Sequence, residues 1–161
     1  MSCQRALYQW TEIVTTHLPH LSKPQATVLA LWSVGMVLAR SCALSAVSLF
    51  LAGGLERKAN TVRQQLREFC YEAKAKRGQP RQELQVQSCF APLLAWVLSW
   101  WEGHQLALAL DATTLGQRFV VLVISVLYRG CAIPVAWTVL PAGEKHGWRR
   151  EWSCMLRQVR T

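Results

Sequence analysis

Paired cysteines are the first thing the chain lacks. Its six cysteines, at 3, 42, 70, 89, 131 and 154, include no CxxC pair and follow no regular spacing. A disulfide framework belongs to a secreted context, and no basic-then-apolar signal pattern opens the chain. The expectation is therefore reduced, mostly buried thiols in a cytosolic protein. Zinc is disfavoured on the same grounds. His17 and His20 lie three apart, but Pro19 stands between them and no cysteine pair accompanies them. Acidic residues are few as well, 9 Asp+Glu against 18 Lys+Arg, leaving a formal net charge of +9. That excess favours a polyanionic partner, either nucleic acid or an anionic membrane surface. Long uninterrupted apolar runs are missing too. The run 26–39 is too short to span a bilayer and is broken by Trp32, Ser33 and Gly35. The run 119–140 carries Arg129, Gly130 and Pro134 near its middle, where a charge is costly in lipid. Rich in Val and Ile, it reads as two buried strands joined by an Arg-Gly turn. No internal repeat or low-complexity tract is present.

What remains is enough to fold. Hydrophobic residues make up 52% of the 161, so a packed core is within reach and wholesale disorder is excluded. The charge is uneven: residues 51–88 hold eight basic and four acidic side chains, whereas 89–140 hold two of each. A basic helical part followed by an apolar sheet-like part is the simplest division.

Helical periodicity covers the first half. Residues 4–16 put Leu7, Trp10, Ile13 and Val14 on one side of a helix. Ser22 and Gln25 have capping-box spacing, with Pro24 in the first turn of a second helix that reaches about Arg40. That helix is apolar on most sides and should be buried. A third, 43–52, should stop at Gly53-Gly54. Asn60 is a good N-cap for a fourth, running to about Arg77 before Gly78 and Pro80 break it. Val62, Leu66, Phe69 and Ala73 fall on one face of it, and Arg63, Arg67, Lys74 and Arg77 on a neighbouring one. With Arg57 and Lys58 just ahead, these are the candidate DNA-binding residues of a helix-turn-helix-like reader. A plain solvated amphipathic helix has the same pattern, and the interval from Gly53 to Asn60 is longer than a standard helix-turn-helix turn. Residues 88–101 read as a further helix, apolar nearly all round, that is buried or braces two parts of the protein.

The pattern then changes to strands. Residues 106–110 form a short apolar strand ending at Asp111, followed by turn chemistry at Thr113, Thr114, Gly116 and Gln117. Residues 118–127 and 131–140 form two more strands, and 147–160 a helix with Trp148, Trp152 and Val159 at helical spacing. The class is α+β: an all-helical module (1–87), a connecting helix (88–104), and the opening of an α/β domain with an antiparallel edge (105–161). Asp111 is the only acidic residue between Glu102 and Glu144. A carboxylate at a strand end is rigidly held and can converge with others on Mg²⁺ for phosphoryl transfer. A turn-starting Asp has the same spacing and is the commoner case.

The stretch LALDATTLGQRFVVLVISVLYRGCAIPVAWTVLPAGEKHGWRREW, residues 108–152, resembles the first catalytic block of insertion-sequence transposases of the DDE type. CFAPLLAWVLSWW and NTVRQQLREF resemble that family's amino-terminal region, so the resemblance runs from about Leu18 onward. It implies an RNase H-like catalytic domain, of which this chain holds the first three strands and first helix. It maps the first carboxylate of the triad, catalytic and metal-ligating, onto Asp111. It also implies two Mg²⁺ ions, strand cleavage and transfer at transposon ends, DNA binding by the amino-terminal helices, and self-association or association with a full-length transposase. The location implied is the bacterial cytoplasm, at the nucleoid when DNA is bound, with no membrane role. The second Asp and the Glu of the triad are not in this sequence, and Glu144 and Glu151 follow the third strand too closely for those roles. The expectation is thus a truncated form that does not cut DNA alone and has an aggregation-prone sheet edge. A non-catalytic DNA-binding protein or repressor from the same element is the alternative.

Overall fold

The computed structural model describes residues 3–76, 82–103, 105–143 and 147–160. Its described part is α+β, with six α-helices and one three-stranded antiparallel sheet. The chain divides into two compact units, Met1–Gln85 and Val86–Thr161.

The first unit is helical: α1 Cys3–His17, α2 Lys23–Ala39, α3 Leu44–Gly54 and α4 Ala59–Phe69. In α1, Val14 is buried and Leu7 and Trp10 half-buried, but Ile13 is 40% exposed and lies outside the stripe expected of it. Gln25 reaches back to the entry of α2, its Oε1 accepting from the Ser22 backbone N–H at 2.9 Å. The capping chemistry read from Ser22, Pro24 and Gln25 therefore starts this helix. At its end Arg40 takes the left-handed conformation (φ 49°), and the Ser41 N–H donates to the Met36 carbonyl at 3.1 Å, closing a Schellman turn. As its composition implies, α2 is covered on most sides: Ala26, Ala30, Leu31 and Gly35 are buried and residues 27–29 and 32–34 half-buried, while Val37, near the end, is 74% exposed.

The glycine stop after α3 is not where the sequence suggested. Gly53 and Gly54 are the last residues of the helix, and the left-handed residue is Glu56 (φ 52°). The Arg57 N–H then donates to the Ala52 carbonyl at 3.0 Å, as the C-terminal turn requires. Nor is Asn60 the cap of α4, because helical geometry begins at Ala59 with Lys58 before it. The helix ends at Phe69, where i→i−3 bonds from Cys70 and Tyr71 tighten the last turn. Ala73 and Lys74 belong instead to a separate 3₁₀ turn, Ala73–Ala75. Arg77 and the break at Gly78 and Pro80 lie outside the described residues. The core of this unit joins Leu31, Val47, Leu51, Ala52, Val62 and Leu66 from three helices.

The second unit begins with a 3₁₀ turn, Val86–Cys89, leading into α5 Phe90–Leu98. α5 buries Phe90 and Leu94 in this unit's own core. Its continuation is less buried than its composition implied, with Trp100 73% exposed. Three strands follow in the order β1 Leu108–Leu115, β2 Phe119–Tyr128, β3 Cys131–Pro141, and then α6 Arg149–Gln158. The apolar run 119–140 is thus two antiparallel strands, joined by Arg129 (φ 47°) and Gly130 (φ 81°). Two successive positive φ values make the type I′ turn whose twist suits a two-residue hairpin, and glycine supplies the second without strain. Val120, Leu122, Ile124 and Val126 alternate inward from β2 onto Met155 and Val159 of α6 and the α5 residues.

The two sheet edges differ. β3 carries Pro134 and Pro141, and its register shifts beside Ile124 and Ser125, leaving Val135 as a bulge. Those devices block further strand pairing. β1 has none of them, and Leu110 and Leu115 on it are 49% and 60% exposed. No single helix among the described residues is long and apolar enough to cross a membrane.

Candidate functional site

Two features were expected to carry function, the basic helix and Asp111. The helix is built from its buried side outward. Val62 and Leu66 are fully buried and Phe69 half-buried against α2 and α3, its ring edge-on to Trp32 at 6.4 Å. Burying Val62 and Leu66 contributes about 1.5–3 kcal/mol each. That anchoring leaves Asn60, Arg63, Gln64 and Arg67 on the solvent side of α4, all exposed. Between α3 and α4 only residues 55–58 intervene. The connection is four residues long, within the 3–4 of a helix-turn-helix. The sequence made it look longer because Gly53, Gly54 and Ala59 are all helical.

Arg57 and Lys58 are exposed at the head of α4. The Arg57 guanidinium donates from Nη1 to Gln65 Oε1 at 3.0 Å, which holds it along the helix. Arg67 lies over the Tyr71 ring, 6.0 Å from its centroid, a loose cation–π contact that restrains its rotamers. A shallow depression of about 600 Å³ runs beside these groups, lined by Arg57, Asn60, Thr61, Gln64, Gln65 and Glu68. Of the six candidate DNA-binding residues, Arg63 and Arg67 share the helix and Arg57 and Lys58 precede it. Lys74 stands apart on its 3₁₀ turn. Arg77 lies outside the described residues.

Asn60 was expected only as a helix cap, and Gln64 carried no expectation. They lie one helical turn apart in the middle of the exposed face, opposite Val62. Gln64 Nε2 donates to Glu68 Oε1 at 2.9 Å, which orients its amide. Amide side chains pair bidentately with adenine in the major groove, whereas Arg and Lys favour guanine or phosphate. The signal that could have found them is a pair of amides at i and i+4 flanked by arginines.

Asp111 is the chain's only aspartate. It does not end its strand: β1 continues through Thr113 and Thr114 to Leu115, and Asp111 pairs with Val123 in the middle of the ladder. The two threonines are β-branched and extend the strand rather than turn it. The carboxylate is exposed, and Oδ2 accepts from the Thr113 hydroxyl at 2.8 Å on the same side of the strand. Among the described residues no three His, Cys, Asp or Glu side chains come together as a metal site. The donors present are one carboxylate and one hydroxyl. Mg²⁺ keeps its waters unless more charged ligands or substrate phosphates converge on it, so these donors do not by themselves make a metal centre. Glu144 is outside the described residues, and Glu151 is half-buried on α6.

The cysteines depart from expectation. Cys42, Cys70, Cys131 and Cys154 are exposed and Cys89 is half-buried, because they sit in turns, at a strand start and on the outer side of α6. Partial loss of hydration pushes the Cys70 thiol up, opposed by Lys76, and burial pushes up that of Cys89, opposed by a hydrogen bond with Ser88.

No family model, curated protein or solved structure matches the chain significantly.

Proposed function

We propose that this chain binds duplex DNA through α4, as a protein of the DDE-transposase type. The observation that carries the reading is the α3–turn–α4 arrangement. A four-residue connection leads into a helix anchored by Val62 and Leu66, and its free face combines Asn60 and Gln64 with Arg63 and Arg67. Arginines on the flank fix the register on the phosphates, and the central amides read base edges. Arg57 and Lys58, at the start of α4, add phosphate contacts where a recognition helix enters its groove. The antiparallel β1-β2-β3 order followed by α6 is compatible with the opening of an RNase H-like domain. In that reading Asp111 is one carboxylate of a Mg²⁺ site that needs further carboxylates to complete it.

A non-catalytic DNA-binding role, such as repression of the related element, is the second reading. It is favoured by the setting of Asp111, whose carboxylate accepts from the Thr113 hydroxyl and joins no group of metal-ligating side chains among the described residues. Both readings share the α4 interface and part only on cleavage.

The test is equilibrium binding of fluorescent duplex DNA by the purified chain and by Arg63→Gln/Arg67→Gln. Each lost phosphate contact flattens the slope of log K against log[salt] by about 0.9, so the double variant should lose about 1.8. A slope equal to that of the unchanged chain would remove α4 from the interface.

A further inference from the structure

Outside the expected interface, α6 concentrates positive charge among the described residues. Arg149, Arg150 and Arg157 are all exposed on this helix, and Arg160 is exposed just past its end. At helical spacing Arg150 and Arg157 stand two turns apart on the same side, with Arg149 beside them. The opposite side is committed to the core, with Met155 3% and Val159 4% exposed and Trp152 packed against the same cluster. The one acid of the helix, Glu151, is half-buried.

We propose that this arginine face is a second contact for the phosphate backbone of duplex DNA. It rests on the reading of the chain as a DNA-binding protein, and it adds a surface outside the six candidate DNA-binding residues. Helix stability does not account for these side chains. Cations favour the C-terminal end of a helix, which suits Arg157, but Arg149 and Arg150 occupy the first turn, where the helix dipole opposes them. A membrane surface fits less well than DNA. Interfacial helices insert an apolar stripe beneath their basic face, and in α6 that stripe is already buried in the protein. Leu156, 39% exposed, is the one sizeable apolar side chain of the helix left outside. A row of guanidinium groups about 10 Å along a helix suits a polymer that carries about one negative charge per 1.7 Å.

The experiment compares the full chain with Arg150→Gln/Arg157→Gln, Arg150→Lys/Arg157→Lys and Arg63→Gln/Arg67→Gln on one duplex across a salt series. The glutamine pair on α6 should flatten the salt slope by about 1.8 and weaken binding about 60-fold at 0.1 M salt, whatever the DNA sequence. The lysine pair should keep the slope, since a phosphate contact needs charge and not the guanidinium plane. Circular dichroism of each variant identifies any loss from misfolding, which the lysine pair would then share. An unchanged slope in the α6 glutamine pair, with weakened binding in the α4 pair, overturns this inference and leaves the α4 reading standing. Failure of the unsubstituted chain to bind duplex at all overturns both. Arginine-dependent binding to phosphatidylserine vesicles without binding to duplex also overturns it, in favour of a lipid surface.

Discussion

A single methyl group added at Gly35 or at Gly53 should move stability in opposite directions. Both glycines are helical, so replacing either with alanine gains intrinsic helix propensity, about 1 kcal/mol in an interior and less near an end. Gly53 is exposed near the end of α3, and a Cβ there meets nothing within 4 Å. Gly53→Ala should therefore stabilise by about 0.5 kcal/mol. Gly35 is the close-approach point of α2 on α3. A Cβ there would lie 2.8 Å from both Leu51 Cδ1 and Val47 Cγ1, and 3.0 Å from Leu51 Cγ. Those side chains are fully buried, and Val47 is held near one rotamer by its branched Cβ, so neither has space to move aside. Overpacking of this kind costs about 1–3 kcal/mol. Net of propensity, Gly35→Ala should destabilise by about 1 kcal/mol. Thermal unfolding followed by the helical circular dichroism signal reads both variants. For a unit of this size about 1 kcal/mol moves Tm by roughly 4–8 °C, so the two midpoints should differ by on the order of 10 °C. Because α3 in turn seats α4, Gly35→Ala should also weaken DNA binding. A midpoint for Gly35→Ala at or above that of the unsubstituted chain would refute the close-packing argument.

Other substitutions probe separate parts of the account. Glu56→Gly should stabilise by about 0.5–1 kcal/mol in a urea titration, because glycine occupies the left-handed cap without a side-chain penalty; a loss of stability would mean that Glu56 makes a compensating contact. Leu110→Lys, on the unguarded edge strand β1, should reduce concentration-dependent self-association measured by light scattering, since charge on an edge opposes strand pairing. With Mg²⁺ present, the purified chain should leave transposon-end duplex uncut, because Asp111 is one donor where a metal site needs several; nicking abolished by Asp111→Ala would contradict this. Alkylation followed by mass spectrometry should modify Cys42, Cys131 and Cys154 first. Cys70 and Cys89 should need higher pH, since raised thiol pKa values keep them protonated longer as pH increases.

Legibility in the sequence followed the range of the interactions involved. The start of α2 was readable because Ser22, Pro24 and Gln25 act within one turn. The β2–β3 hairpin was readable because Arg129-Gly130 interrupts an otherwise apolar run. Features decided by packing were not readable. Gly53 and Gly54 have stop-signal chemistry, yet packing of Leu51 and Ala52 carries α3 through them, and the left-handed position falls on Glu56. Thr113 and Thr114 suit a turn or a strand equally, and pairing with Val121 and Val120 of β2 decided for the strand. That choice moved Asp111 from a strand end to mid-strand. The basic helix was visible as charge, but its ridge broke where α4 ended at Phe69, detaching Lys74. Asn60 and Gln64 became candidates only once Val62 and Leu66 fixed which face of α4 is free.

Under the proposed function, α4 reads duplex DNA through that face. The most direct measurement is selection of bound duplexes from a randomised pool by the unsubstituted chain and by Asn60→Ala/Gln64→Ala. The unsubstituted chain should enrich a defined motif. The double variant should still bind, through the retained arginines, but lose preference at the adenine positions of that motif, at about 1–3 kcal/mol of discrimination for each lost bidentate pair. Enrichment of the same motif by both proteins, or of none by either, would contradict the proposed function.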